Sequence, residues 1–162
     1  MDLYTELYDM KNLYTAWNKV RGNHSAPGVD RITVEEFDEN KKQYLKQISI
    51  ELKEERYNTK PAKMVTIEKG GKERDITILC MRDKVVQQVI VQKLSSIYEP
   101  LLSPHAYAYR PGKSALLALE YISEKVVDNK EYGVIKTDIS HFFDAIDREI
   151  IIEKLRERID DE

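Results

Sequence analysis

Apolar residues recur at three- and four-residue spacing near the start of the chain, as they do in an amphipathic helix. Over residues 2–21 this stripe consists of Leu3, Leu7, Met10, Leu13, Tyr14, Trp17 and Val20. Glycine and proline interrupt the pattern over residues 22–30, and Thr33 with Glu36 then has the spacing of a capping box before a second helix at 35–55. The pattern therefore predicts an N-terminal helical layer with a structured loop inside it.

Between residues 63 and 79 the pattern changes to alternation around the dipeptide Gly70-Gly71. Two alternating runs separated by a glycine pair are typical of a β-hairpin. We expect two apolar residues of each strand to face each other: Val65 and Ile67 on the first strand, Ile76 and Ile78 on the second.

The remaining elements complete an α+β fold. The spacing predicts a helix over 83–98 that Pro100 ends, a helix capped by Ser114 that runs to about residue 127, a strand at 132–138 and a helix at 148–159.

Composition narrows the class of protein. The 162 residues are enough for one domain or for two subdomains, and 41% hydrophobic with 34% charged residues is ordinary for a soluble globular protein. No apolar run approaches the roughly 20 residues that cross a bilayer, so we expect no membrane role. The N-terminus lacks the features of a signal peptide and Cys80 is the lone cysteine, which favours a reducing, cytoplasmic location.

Charge is distributed unevenly along the chain. The net charge is −3, yet residues 56–113 contain 11 Lys and Arg against five acids, so that segment is +6 and the rest is −9. This segregation suggests an electropositive surface on the middle segment that could meet phosphate. The alternative is chance clustering of charges on solvated faces.

The predicted hairpin concentrates the basic residues Lys63, Lys69, Lys72 and Arg74. Lysine as a point charge and arginine as a fork are suited to gripping phosphate groups. A lysine-rich hairpin tip is also a common way to protect a sheet edge and keep a turn soluble.

A carboxylate, Asp138, ends the predicted strand and is followed by Phe142-Phe143-Asp144. A hard carboxylate oxygen on rigid backbone is a suitable ligand for a divalent cation. The alternative is an aspartate that caps a helix after a strand, with phenylalanines in the core. The three histidines show no spacing typical of metal ligands, which argues against a zinc site.

Six short motifs follow one another along nearly the whole chain, and in this order they resemble the N-terminal portion of a group II intron-type bacterial reverse transcriptase. They are Ala26-Pro-Gly-Val-Asp30 with Thr33, Ile67-Glu-Lys-Gly-Gly-Lys-Glu-Arg74, Arg82-Asp-Lys-Val-Val-Gln87, Tyr98-Glu-Pro100, Tyr107-Ala-Tyr-Arg-Pro-Gly-Lys-Ser114, and Asp138 with Phe142-Phe143-Asp144-Ala-Ile-Asp147. Each motif alone is weak, but the ordered set is specific.

The resemblance implies a right-hand polymerase, with the fingers at 1–130 and the start of the palm at 131–162. It implies that Asp138 is the first aspartate of a two-Mg²⁺ catalytic site. It further implies that Phe143 gates the nucleotide sugar, that Lys69 and Arg74 contact the triphosphate, and that Lys63, Lys72, Arg110 and Lys113 help to form the channel for an RNA template and a DNA primer. In this interpretation, Tyr107, Tyr109 and their neighbours contact the template, although they could equally be core aromatics beside a plain turn.

Two departures qualify the resemblance. Intron enzymes usually continue after the hairpin arginine with Pro-Leu-Gly-Ile-Pro, where this chain has Asp75-Ile-Thr-Ile-Leu79, and Tyr-Ala-Tyr stands where Tyr-Gly-Phe is usual. These changes look like the CRISPR-associated or defence-associated branches. The Tyr-x-Asp-Asp motif that should supply the other carboxylates does not occur before Glu162, so we expect the chain alone to be inactive.

Three functions remain open from sequence. The first is RNA-directed DNA synthesis from deoxynucleoside triphosphates by a longer protein. The second is an RNA-binding or oligomerising module derived from such an enzyme, and the third is an interaction protein that does not bind nucleic acid. A palm sheet without its central hairpin would leave apolar surface uncovered, so we also expect homodimerisation or partial disorder near the C-terminus.

Overall fold

The computed structural model describes residues 3–128 and 135–160, which form helices and one antiparallel hairpin. The side chains of Lys69, Asp128, Phe143 and Asp144 are not described. The elements are α1 (Leu3–Leu7), α2 (Met10–Gly22), α3 (Val34–Glu39), α4 (Lys41–Lys53), β1 (Lys63–Lys69), β2 (Lys72–Ile78), α5 (Met81–Tyr98), a 3₁₀ turn (Glu99–Leu101), α6 (Ala115–Ser123), a π turn (Glu124–Asp128), α7 (Phe142–Ala145) and α8 (Arg148–Arg156). The α+β class predicted from sequence is confirmed.

The chain divides into two compact units, residues 1–95 and 96–160. This division differs in position from the predicted boundary at residue 130. That boundary was drawn between fingers and palm, and the assignment of those subdomains stays a prediction.

The first unit has a well-formed hydrophobic core. The largest fully buried side chains are Trp17, Phe37, Leu13, Leu45, Ile48, Met81, Val85 and Val89. Trp17 packs on Phe37 with ring centroids 4.3 Å apart, and Phe37 stacks on Tyr44 at 4.7 Å. The apolar stripes predicted for the two N-terminal helical segments therefore meet in one core, to which the first half of α5 contributes as well.

Each of the two long N-terminal helices predicted from sequence is broken in the structure. The predicted helix 2–21 is interrupted at Asp9, whose carboxylate accepts a hydrogen bond from the Asn12 amide at 3.1 Å and caps α2. The predicted helix 35–55 is interrupted at Asn40, between α3 and α4. Apolar spacing could not reveal these breaks, because the helices on both sides of each break face the same core.

The hairpin prediction is confirmed. β1 and β2 pair antiparallel, and Gly70 and Gly71 both have positive φ, at 64° and 73°. Glycine adopts this left-handed backbone without steric cost, which explains the glycine pair at the turn. Val65 lies opposite Ile76 as expected, but Ile67 lies opposite Arg74 and Ile78 lies opposite Lys63.

The regular secondary structure of the second unit, over its described residues, consists of helices. Ser114 caps α6 by accepting from the Leu117 amide at 3.2 Å, and Asp147 caps α8 by accepting from the Glu149 amide at 2.9 Å. The predicted helices near these residues are confirmed, and the short helix α7 was not predicted.

The strand predicted at 132–138 is not observed over residues 135–138, which have no regular secondary structure. Residues 132–134 lie outside the described residues. Within residues 3–128 and 135–160 the sheet consists of β1 and β2 alone, so residues 135–138 have no strand to pair with. Alternation in the sequence shows β propensity, but a strand forms only where a second strand completes its hydrogen bonds.

Among the described residues, no helix has the length and apolar character required to cross a membrane.

Candidate nucleic-acid interface

The hairpin has two chemically different faces. Residues paired across an antiparallel ladder share a face, and successive residues along a strand alternate between faces. One face therefore contains the four predicted basic positions together with four aliphatic ones, in the pairs Lys63–Ile78, Val65–Ile76, Ile67–Arg74 and Lys69–Lys72. We call this the basic face of the hairpin.

The other face is acidic and carries no cation. Its pairs are Met64–Thr77, Thr66–Asp75 and Glu68–Glu73. The Thr66 hydroxyl donates to the Asp75 carboxylate at 2.6 Å, which holds the second strand to the first on this side. We call this the acidic face. Charge that seems mixed in the sequence is thus sorted by the pleat into opposite signs on opposite sides.

The tip of the hairpin brings like charges together. Lys69 lies opposite Lys72, and Glu68 lies opposite Glu73. Directly opposed like charges destabilise an antiparallel pair. The side chains of Lys63, Lys72 and Arg74 are exposed to solvent. An anion on the basic face would relieve the repulsion between its cations, so this face is chemically suited to phosphate.

A buried polar cluster holds the base of the hairpin. Asp83 at the start of α5 is only 3% exposed, and it accepts a hydrogen bond from the Tyr57 hydroxyl at 2.6 Å and from the Lys60 amide at 3.2 Å. Burial, with the adjoining Asp83 carboxylate, raises the pKa of Tyr57. Arg82 lies over the Tyr57 ring, with its guanidinium carbon 4.6 Å from the centroid, and pairs with Glu51.

The loop 24–31 joins the same cluster. The Lys60 ammonium pairs with Asp30 at 3.3 Å, and the Lys84 ammonium donates to the Ala26 carbonyl at 2.7 Å. A Cβ on Gly28 would lie 2.6 Å from the Cys80 amide nitrogen, so only glycine fits this contact. The two ends of the hairpin, just before Lys63 and just after Ile78, are therefore anchored to one rigid base.

Sequence reasoning missed the roles of Tyr57 and Asp83. It recognised Arg82-Asp-Lys only as part of a family motif. A usable signal was present, because an ionisable triplet inside an otherwise apolar helical stripe requires partners, and a buried carboxylate requires donors.

In the second unit, Arg110 is used internally. Its guanidinium donates to the carbonyls of Ser103 at 2.6 Å and Ala106 at 2.9 Å, and it pairs with Glu99 at 2.7 Å, leaving the side chain only 10% exposed. The Lys113 ammonium donates to the Pro104 carbonyl at 3.2 Å and lies 5.1 Å from the centre of the Tyr107 ring. Both predicted nucleic-acid contacts thus hold the loop 103–113 together.

Asp138 is exposed and lies in a segment without regular structure, and Phe143 lies in α7 with an undescribed side chain. The structure thus brings together the four predicted basic positions of the hairpin, and separately Arg110 with Lys113. It describes each group within its own compact unit.

The metal predicted at Asp138 can be tested against the donors present. A carboxylate is the right kind of ligand for Mg²⁺, but a two-ion site needs several of them. Asp147 is engaged as the cap of α8. Across the part of the chain that the structure describes, no group of three or more Asp, Glu, His or Cys residues could hold a metal ion. Among the described residues, Asp138 therefore lacks the partner carboxylates that a two-ion Mg²⁺ site requires.

Comparison with known proteins gives the class. The sequence model of the family "Reverse transcriptase (RNA-dependent DNA polymerase)" matches residues 66–160, which is more than half of the chain and includes the hairpin turn, Arg110 and Asp138. The chain therefore belongs to the reverse transcriptase family.

The relatives narrow the class further. The group II intron-encoded protein LtrA of Lactococcus lactis subsp. cremoris is 29% identical over 98% of this chain and 26% of its own length. A protein named for intron 1 of COX1/OXI3 in Saccharomyces cerevisiae is 30% identical over 94% of this chain, and an uncharacterised 91 kDa protein in the cob intron of Schizosaccharomyces pombe is 31% identical over 99%. The resemblance to group II intron-type enzymes is thus confirmed. The chain spans only 18% and 20% of those two yeast proteins.

Proposed function

We propose that this chain forms the fingers and the first part of the palm of an RNA-directed DNA polymerase. The observation that carries the proposal is the basic face of the hairpin, most of which lies within the segment that matches the reverse transcriptase family. A row of cations on one face of a rigidly based hairpin can hold a polyanion in one orientation.

The proposed roles follow from this assignment. Lys69 and Arg74 contact the triphosphate of the incoming deoxynucleotide, and Lys63 and Lys72 contact the phosphates of the RNA template and DNA primer. Asp138 binds Mg²⁺ together with carboxylates from beyond the described residues, and Phe143 contacts the nucleotide sugar. Arg110 and Lys113 shape the template channel by holding the loop 103–113, which agrees with their internal contacts.

The finer predictions on setting remain part of this proposal. They are a cytoplasmic location, a place in a CRISPR-associated or defence-associated branch, and homodimerisation. The exposed apolar residues of α6, such as Leu116 at 64% and Leu119 at 62%, give dimerisation a physical motive.

Binding and extension assays test the proposal together. The double variant Lys63→Gln with Lys72→Gln should weaken binding of this chain to single-stranded RNA and reduce the slope of log affinity against log salt by about 1.4, since each phosphate contact on a single strand contributes about 0.7. A matched control is Lys11→Gln with Lys19→Gln, which removes the same charge from exposed positions on α2. Equal effects of the two double variants would show that only net charge matters.

Extension of a DNA primer on an RNA template is measured in a protein that carries this chain with a complete palm. Asp138→Asn should abolish extension and leave binding unchanged, because it removes a metal ligand but no phosphate contact. Asp147→Asn is the control, since asparagine caps a helix as well as aspartate does. Extension that survives Asp138→Asn would overturn the catalytic proposal.

A second function, RNA binding without catalysis, is favoured by the same basic face, which needs no metal to act. Salt-dependent binding that is lost in the hairpin variant, together with no extension by a protein with a complete palm, would support it.

A further inference from the structure

The loop 103–113 is held together by Arg110 and exposes the side chain of Tyr109. The Arg110 side chain is not available at the surface, because its guanidinium donates to the Glu99 carboxylate and to the carbonyls of Ser103 and Ala106. The adjacent residue, Tyr109, is 96% exposed. It makes no hydrogen bond or ring contact with any residue in the two described stretches of the chain.

The backbone at Tyr109 is strained. Its φ is +58°, in the left-handed region that glycine and asparagine adopt most easily. At such a φ a tyrosine makes the fold less stable than a glycine would. Within the described residues the exposed ring does not offset this loss by packing against other side chains. Strain of this kind is retained at sites where the surrounding structure imposes it and the side chain has a use.

The surroundings of the ring suit a nucleic acid strand. From Pro100 to Leu119 the sequence contains no Asp or Glu, whereas His105, Arg110 and Lys113 lie within it. The carboxylate just before this stretch, Glu99, is neutralised by its ion pair with Arg110 at 2.7 Å. An exposed aromatic face on a loop without negative charge is able to stack on an unpaired base, and such stacking tolerates any base because every base has a π-face.

We propose that Tyr109 is a base-stacking residue for a single-stranded nucleic acid, and that Arg110 is its positioning residue. The inference deepens the proposed function and rests on it, because it assigns the contact with bases to the loop and the contact with phosphates to the hairpin. Arg110, which the sequence motif suggested as a ligand contact, instead holds the loop in the conformation that exposes Tyr109.

The test separates bases from phosphates by using two ligands of equal length and charge. The first is a short single-stranded RNA, and the second is the same sugar-phosphate strand without bases. The affinity of this chain for both is measured at low salt by fluorescence anisotropy. Tyr109→Ala should weaken binding of the RNA by about fivefold to a hundredfold, the range of stacking one base on an aromatic ring, and leave the abasic strand within about twofold.

Matched variants make the result specific. Tyr109→Phe keeps the ring and should bind RNA as the unchanged chain does, and Ile150→Ala, at a residue of α8 that is 53% exposed, should change neither affinity. Tyr109→Gly relieves the positive φ, so it should melt at the same or a higher temperature and still lose RNA affinity. That combination cannot result from unfolding.

Each outcome decides the proposal. A loss on both ligands, or no loss on RNA, would overturn the stacking role of Tyr109 while leaving the hairpin proposal intact. If the unchanged chain binds neither ligand, the proposed function fails and this inference fails with it. If the hairpin variant Lys63→Gln with Lys72→Gln weakens binding of both ligands alike and Tyr109→Ala weakens binding of the RNA only, both proposals are supported.

Discussion

The two compact units differ in how they use apolar residues. In residues 3–95 the apolar stripes of α2, α3, α4 and α5 converge on a core in which Trp17, Leu13 and Leu45 are 0% exposed. In the described part of residues 96–160 no described side chain is fully buried. Ile150, Ile151 and Ile152, three consecutive residues of α8, are 53%, 40% and 46% exposed.

The buried residues that stabilise the fold and the residues proposed to bind metal and bases therefore lie in different units. The unit with the dense core holds the hairpin on a rigid base, whereas the unit without one carries Asp138 and the loop of Tyr109. Substitutions in the core of the first unit should therefore lower stability more than substitutions of apolar residues in the second unit. Three predictions, in order of decreasing effect, put this contrast to the test.

The largest effect is expected for Trp17→Ala. The change empties the centre of the first unit's core and removes the hydrogen bond that the indole donates to Asp38 at 2.8 Å. The free energy of unfolding should fall by about 3–5 kcal/mol. Leu116→Ala, at a large apolar residue of the second unit, should change it by less than about 0.5 kcal/mol. Urea unfolding followed by circular dichroism measures both, and similar losses would break the comparison.

A smaller effect is expected for Gly28→Ala. The new methyl group would lie 2.6–2.8 Å from the Cys80 backbone and sulfur, and the backbone cannot move aside as a flexible side chain would. The expected loss is about 1–3 kcal/mol. Gly22→Ala is the matched control, because nothing lies within 4 Å of its added carbon and it ends helix α2. It should be neutral or mildly stabilising, and an equal loss at Gly22 would contradict the steric explanation.

The smallest effect is expected for Tyr57→Phe. It removes one donor from the buried Asp83 carboxylate and should cost about 1–2 kcal/mol at neutral pH. Because burial raises the pKa of Tyr57 above its ordinary value of 10.0, the unmodified hydroxyl stabilises the fold below about pH 10 and this contribution is lost as the pH rises further. The variant should show a flatter decline of stability above pH 10, and an identical decline would rule this hydroxyl out as its source.

The sequence was most informative where local rules decide the structure. Alternation and the Gly70-Gly71 pair predicted the hairpin because a two-residue turn fixes its own register. The same rules predicted the caps at Thr33 and Ser114. The sorting of charge into two faces was not predicted, although the pairing of Lys69 with Lys72 that a two-residue turn favours already implies it. A shift of one residue would instead have mixed basic and acidic residues on each face.

The site was predictable only in part, because the role of a cation depends on which acceptors fold around it. Arg110 and Arg74 look alike in sequence, because each is an arginine within four residues of a glycine in a family motif. The structure gives Arg110 three partners inside its loop, while it leaves Arg74 exposed on the basic face. The prominence of Tyr109 was equally hidden, since neither its exposure nor its φ of +58° has a signature in the sequence.

The burial of Cys80 against Gly28 has a practical consequence for experiments. This thiol is 0% exposed and burial raises its pKa, so little of it is present as the reactive thiolate at neutral pH. It is also the only cysteine of the 162 residues. A cysteine introduced at an exposed position of the hairpin or beside Tyr109 would therefore be the one thiol that reacts quickly with a maleimide dye. A fluorescent label could then report on a single surface without first removing a native cysteine.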